Sequence, residues 1–263
     1  MSRAPMAATL LACLTLVAGC SGPGAAGSGS DGSGSGTTAA ALTATAAGPT
    51  EDSSPLAGMS ALEVWEKTKA DADAAQSVHV AARFLDGKDK VAINLKMTDA
   101  GKVFGLLVLN GDRVRIRRLG STLYFKADYE FWLRNADAAT GQALGDKWIM
   151  VKQGFSADLD QFFELTDMDA LVADTMSLSA TGQQKLKLVP GIQVGTRSTV
   201  GLSDESTENT EEAQTLYVAA SDPALPLNLT MSADDSQYMK FREWNKSFNV
   251  VAPRGAIDLA KKG

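Results

Sequence analysis

Two cysteines and one histidine are the only thiol and imidazole groups in this 263-residue chain, and their neighbours decide what each can do. Cys20 closes the run Val17-Ala18-Gly19-Cys20, an aliphatic residue and two small ones ahead of a thiol. That is the pattern of a lipobox, in which small residues fit the subsite of the lipoprotein signal peptidase and the thiol receives a diacylglyceryl group. Arg3 supplies a positive charge upstream, and Ala7 to Val17 is apolar apart from Thr9, Cys13 and Thr15. These are the n-region and h-region of a secretory signal. The apolar run falls short of the roughly 20 residues that a bilayer-spanning helix needs. An ordinary secretory peptide with a coincidental cysteine is the alternative, and the position of Cys20 at the end of the h-region favours the lipobox. Each buried acyl CH₂ contributes about 0.8 kcal/mol, so two or three chains suffice to hold a protein on a membrane. The expectation is a lipid anchor at Cys20, on the extracytoplasmic face of the cell membrane.

The remaining chemistry is sparse. Cleavage before Cys20 removes Cys13, so no intramolecular disulfide and no cysteine-rich metal site can form. His79 sits on the polar side of an alternating segment and lacks the recognisable partners that a triad or metal site requires. The sequence holds no Gly-x-Ser-x-Gly elbow, His-Glu-x-x-His helix or phosphate-binding Gly-rich loop. Asp167, Asp169 and Asp174 have the spacing of a solvated helix face, and Asp234-Asp235 has turn chemistry. Only a carboxylate pair assembled by the fold would escape this reading. No catalytic residue, metal site or cofactor is expected. The formal charge of −6 argues against nucleic acid as a partner. Arg113, Arg115, Arg117 and Arg118 form the basic cluster, with the first three on one face of a strand. A solvated outer face accounts for them; contact with anionic headgroups or an anionic ligand is the alternative.

Composition divides the chain into a signal peptide at 1–19, the lipidated cysteine and a Gly/Ser/Ala tether at 20–54, and a domain at 55–263. The tether has almost nothing to bury and cannot offset its ordering entropy. At about 5–6 Å × √n its reach is roughly 30–35 Å. Within the domain, apolar residues recur every three or four positions from Leu56 to Gln76, predicting a helix, and Ser60 with Glu63 matches a capping box at which it can start. The period then becomes two. Val78 to Phe84, Val91 to Met97, Val103 to Leu109, Arg113 to Arg118 and Thr122 to Lys126 read as a five-stranded meander, with Gly101, Asn110-Gly111 and Gly120-Ser121 as turns. Val103 to Leu109 is apolar on both faces, so Leu106, Leu107, Val108 and Leu109 are the candidate lining of an internal cavity, although a closed core would use them equally well. Further helices are expected at Tyr129 to Ala139 and at Asp158 to Asp174, the latter broken near Thr166-Asp167. Lys147 to Val151 reads as a short strand. Later strands are expected at Gln184 to Leu188, Ile192 to Leu202, Thr215 to Ala219, Leu225 to Ser232, Tyr238 to Trp244 and Phe248 to Val251, with an acidic loop at Asp204 to Glu212. The fold class is α+β, one long curved antiparallel sheet with inserted helices.

The order of landmarks adds a resemblance. A Trp-containing helix ends in Ser77-Val78-His79-Val80, then come Gly120-Ser121-Thr122-Leu123-Tyr124-Phe125-Lys126, Phe131-Trp132 and Lys147-Trp148. Leu216-Tyr217-Val218-Ala219, Pro223-Ala224-Leu225-Pro226-Leu227, Phe241-Arg242-Glu243-Trp244-Asn245 and Val251-Ala252-Pro253 follow. From about Leu56 onward this resembles the LppX/LprA/LprF/LprG lipoproteins of actinobacteria and, more distantly, the LolA/LolB carriers. The resemblance implies a half-open β-barrel with helices covering the concave side and an apolar cavity for acyl chains. It implies transport of a membrane lipid or lipoglycan within the envelope, with an envelope transporter as protein partner and no catalytic residues. A non-catalytic envelope adaptor without lipid cargo is the alternative.

The anchor is directly testable. Cys20→Ala in the expressed precursor should abolish both acylation and normal cleavage, read by intact mass. A wild-type mature chain of unmodified mass, or one beginning elsewhere, would refute it.

Overall fold

The computed structural model describes residues 54–86, 88–178, 180–204, 214–231 and 236–261. The signal segment, Val17, Ala18, Gly19, Cys20, nearly all of the tether, the acidic loop at 205–213 and Asp234-Asp235 lie outside them. No helix among the described residues is long and apolar enough to cross a membrane.

The first meander is built by period-two alternation. It comprises β1 (Ser77–Asp86), β2 (Asp89–Thr98), β3 (Lys102–Leu109), β4 (Asp112–Leu119), β5 (Thr122–Lys126) and β6 (Ile149–Lys152). Val91, Ile93, Leu95 and Met97 of β2 are all buried, while the residues between them are not. Asn110 and Gly111 both take positive φ, 50° and 97°, in a two-residue loop joining β3 to β4. That conformation matches the twist of the flanking strands, and Asn and Gly are the residues that adopt it most readily. The Asn110 side chain adds to the turn by accepting from the Lys90 amide and donating to Asp89.

A second meander follows with β7 (Leu186–Val189), β8 (Gln193–Val194), β9 (Arg197–Asp204), β10 (Gln214–Ala219), β11 (Pro226–Thr230) and β12 (Tyr238–Arg242). β1 pairs antiparallel with β12, Val80 opposite Phe241 and Ala82 opposite Met239, so the two meanders join into one sheet. With the terminal strand β13 (Ile257–Asp258) included, its order is β13-β6-β5-β4-β3-β2-β1-β12-β11-β10-β9-β7, with β8 on β9, and its two edges do not meet. The result is an α+β fold with one large, unclosed sheet.

The helices are α1 (Ala61–Asp73), α2 (Tyr129–Asn135), α3 (Ala138–Leu144), α4 (Ala157–Leu165), α5 (Met168–Thr175) and α6 (Ala180–Lys185). The capping box of α1 forms as expected. The Glu63 amide donates to Ser60 Oγ, and the Ser60 amide donates to Glu63 Oε2 at 2.7 Å. The Ser60 amide and the Ser60 hydroxyl both donate to the Glu63 carboxylate and hold its pKa below the ordinary value. Val64, Thr68 and Ala72 make the buried stripe of α1. The break between α4 and α5 falls at Thr166-Asp167, where the alternation of apolar residues had placed it.

Several elements depart from the expected pattern. The helix expected over Leu56 to Gln76 is shorter, because residues 54–58 form a turn in which Gly58 has a φ of 77°. Leu56 is buried from that turn, not from a helix. Ile192 to Leu202 is not one strand; Gly195, at a φ of 65°, reverses the chain between β8 and β9. Gln184 and Lys185 belong to α6. Phe248 to Val251 is irregular, and the terminal strand is β13 (Ile257–Asp258), which pairs parallel to β6, so the sheet is not wholly antiparallel.

Gly105 shows how closely β3 approaches β2. A Cβ there would stand 2.0 Å from the Asn94 carbonyl oxygen and 2.9 Å from the Leu95 Cα. Both obstacles are backbone and cannot move aside. Gly105→Ala should therefore lower the stability of the domain by about 1–3 kcal/mol or more, measured by urea denaturation. Unchanged stability would refute this close approach.

Candidate functional site: the covered face of the sheet

One face of the sheet is continuously apolar. Val80, Ile93, Leu107, Val114, Leu123 and Ile149 are each no more than 3% exposed, and they come from six successive strands of the sheet. Over them lie Val64, Thr68 and Ala72 of α1, Phe131 and Trp132 of α2, Phe162 and Phe163 of α4, and Met168 and Val172 of α5. α5 packs against both α1 and α4, and α2 packs against α3, so the cover is a layer of helices. Phe125, Phe131 and Trp132 form an aromatic group, with Phe131 and Trp132 meeting edge to face at 5.4 Å. Met97, Met168, Met176 and Met239 are buried in the same interior, which gives it polarisable, adaptable walls. The Trp132 indole nitrogen is buried there with no hydrogen-bond partner among the described residues.

The four lining candidates separate by strand parity. Leu107 and Leu109, at 0% and 4% exposure, belong to the helix-covered side. Leu106 and Val108 are half-buried on the opposite face. On that face Phe104 meets Phe248 edge to face at 5.4 Å, so the segment after β12 covers the outer side of β3.

The basic cluster separates in the same way. Arg113 and Arg115 are exposed, and Arg117 lies over the Trp148 ring and donates to the Val251 carbonyl. Arg118 has the opposite parity and points inward, 8% exposed. Its Nε donates to the Gly120 carbonyl at 2.8 Å, and its Nη1 to the Phe163 carbonyl at 2.7 Å and to Thr166 Oγ1 at 3.4 Å. Asp167 stands 3.7 Å from Nη2, and the guanidinium lies over the Phe163 ring. Burial lowers the guanidinium pKa and the nearby Asp167 charge offsets this only in part; the group stays protonated. This one side chain ties the α4–α5 junction to the end of β4. Sequence reasoning grouped Arg118 with its neighbours by charge, although its parity with Val114 and Ile116 already placed it inside.

The other polar candidates hold structural positions. His79 Nε2 is 2.9 Å from Asn94 Oδ1, and its Nδ1 is 4.0 Å from Glu243, whose carboxylate pairs with Lys96 at 2.5 Å. Asp167 caps α5 by accepting from the Ala170 amide, while Asp169 and Asp174 are exposed. Among the described residues, no group of three or more His, Cys, Asp and Glu side chains is placed to hold a metal ion.

No known family profile and no curated protein matches the chain. Among solved structures, LprF from Mycobacterium bovis superposes with a TM-score of 0.50 at 13% identity, covering 74% of this chain and 97% of LprF. The chain has the LprF fold. The lipoprotein LppX of Mycobacterium tuberculosis also matches, with a TM-score of 0.45 at 12% identity over 73% of this chain and 98% of LppX.

Arg118→Met would remove the charged donor from the buried Phe163 carbonyl and from the Gly120 carbonyl. A loss of about 2–4 kcal/mol is expected, since hydrogen bonds to charged groups contribute about 1.5–3 kcal/mol each. Hydrogen exchange should show it first in α4 and α5, and Arg118→Lys should not restore protection, because a single ammonium cannot reproduce the fork. Uniform exchange across the domain in Arg118→Met would refute the local tie.

Proposed function

We propose that the chain is a membrane-anchored lipoprotein of the LppX/LprF type, attached through acylated Cys20 at the extracytoplasmic face. It takes the acyl chains of a membrane lipid or lipoglycan beneath the helices and carries them within the envelope. The observation that carries this reading is the pairing of an unclosed sheet with a layer of short helices over one continuously apolar face. Such a layer can part from the sheet without breaking any strand ladder. The LprF fold and the lipobox support the same reading.

The chemistry required is burial alone. A chain of about sixteen carbons gains several kcal/mol at roughly 0.8 kcal/mol per CH₂, even after ordering costs. Because that gain is nondirectional, binding should tolerate changes of headgroup better than loss of the tails. Of the four candidates, Leu107 and Leu109 are the proposed walls, since they face the helices, while Leu106 and Val108 lie on the opposite face of β3. The Trp132 indole offers a buried donor to a carbonyl of the cargo.

Native mass spectrometry of full-length chain carrying Cys20→Ala, offered diacyl lipids, should detect a retained lipid. Leu107→Trp should reduce loading, whereas Leu106→Trp on the outer face should leave it unchanged. A protein that stays ligand-free across a whole envelope lipid extract would overturn the carrier reading in favour of an adaptor.

A further inference from the structure

The side of the sheet away from the helices carries a feature that lipid carriage does not explain. Outside the C-terminal meander opens a cleft of about 480 Å³, within the range of roughly 300–1,000 Å³ typical of small-molecule sites. Its floor is the outward face of β10, β11 and β12. There Tyr217 stands opposite Asn228, and Asn228 opposite Lys240, so three side chains line up across three strands. One wall is the β8 turn, where Ile192 and Val194 fold back over the floor and Gly195 reverses the chain.

Two details mark the cleft as more than a gap between strands. The pairing of β10 with β11 slips between Tyr217 and Val218, where Val218 meets Pro226, and Leu227 is the residue left over. Leu227 is 3% exposed yet stands apart from the main core cluster, because the bulge turns it to the cleft side. Bulges of this kind commonly re-aim side chains beside functional sites. Next to it, Asn228 lines the cleft at 8% exposure, and its Oδ1 is covered and without a hydrogen-bond donor among the described residues. Buried amide oxygens are nearly always paired, and an exception calls for an explanation. The terminal torsion of Asn is broad and roughly two-fold, so a small rotation brings Oδ1 to the cleft.

The charge of the lining is as specific. The chain has a formal charge of −6, yet the described lining holds Lys240 and Arg242 and no acidic residue. Neither cation makes an ion pair among the described residues, and Lys240 rests on the Tyr238 ring at 4.5 Å. Two free cations call for an anion, and the orphan oxygen calls for a hydroxyl or amide donor. Tyr217, Tyr238 and Leu227 offer apolar surface to the C–H face of a ring. The geometry points to a binding site for a small anionic sugar, a polyol ring bearing a phosphate or carboxylate, on the face opposite the acyl site. The phosphate or carboxylate lies against Lys240 and Arg242, and a ring hydroxyl donates to Asn228 Oδ1. Nothing in this assignment depends on lipid carriage beneath the helices.

The test is titration calorimetry on the full-length chain carrying Cys20→Ala, with glucose 6-phosphate, glucose and inorganic phosphate as probes. Saturable one-to-one binding of glucose 6-phosphate is expected, with the other two at least about tenfold weaker. Asn228→Leu should weaken it by about tenfold, and Lys240→Gln with Arg242→Gln, at a half-buried and an exposed position, should abolish it. Arg113→Gln with Arg115→Gln, on the outer face of the other meander, should change nothing. Co-sedimentation with phosphatidylcholine vesicles containing phosphatidylinositol, lost in Asn228→Leu, would support the site with a lipid headgroup as the source. Glucose 6-phosphate binding without co-sedimentation would support it with a free sugar as the source. Inorganic phosphate binding as tightly as the sugar phosphate, equal losses in the two double variants, or no binding by any probe or vesicle would overturn the proposal.

Discussion

A sheet that does not close, and that is apolar along one whole face, cannot exist uncovered in water. The two meanders meet at β1 and β12, where ten consecutive residues of β1 pair with β2 on one side and five with β12 on the other. The junction places the inward residues of both halves on a single surface. Without it there would be two small sheets, each too thin to sustain a core. With it there is one surface large enough to require a second layer, and the helices between β5 and β7 supply most of that layer.

The cover is weaker than the sheet beneath it. α2, α4 and α5 have 7, 9 and 8 residues, well below the roughly 12–15 at which isolated helices become even marginal in water. Side-chain caps at Asp128, Ser156 and Asp167 satisfy amides at their N-termini, but their persistence depends on apolar contact with the sheet. Arg118 is the polar exception. It grips the α4–α5 junction through the Phe163 carbonyl and Thr166 Oγ1, so that junction is held while the flanking helix surfaces rest on nondirectional contacts. Entry of an apolar ligand would exchange one set of nondirectional contacts for another. A small barrier to parting the helices follows from that, while the strand ladders remain intact.

What the sequence disclosed follows from which interactions are local. Period-two alternation and the Asn110-Gly111 turn are local, and they located β1 to β5 within a residue or two. The Ser60–Glu63 box and the break at Thr166-Asp167 are local as well. The inward turn of Arg118 was legible from parity but masked by the charge of its neighbours. Three features were not legible because their causes are distant in sequence. β13 exists only because it pairs with β6, more than a hundred residues earlier. The outer cover of Phe104 comes from Phe248. The cleft requires β8 to fold across strands that follow it, and the extra residue at Leu227 appears only once β10 and β11 are in register. The lipobox pattern ending at Cys20 is local too, and it lies outside the described residues.

Two faces with opposite chemistry raise the question of how one domain, anchored as proposed, would present both. Ser54, the first described residue, donates to the Ala220 carbonyl, and Lys67 and Asp71 of α1 reach Asp222 and the Ala224 amide. The chain therefore enters the domain beside the β10–β11 loop. A compact domain of about 200 residues has a radius of gyration of roughly 17 Å, whereas the proposed tether spans roughly 30–35 Å. On the proposed reading, a tether of that length would let the domain roll about its entry point and turn either face to the bilayer. A rigid or very short linker would commit one face permanently. The Gly/Ser composition of residues 20–54, which carries no packing information of its own, is in this reading what allows the helix-covered side and the cationic cleft to meet the same membrane in turn.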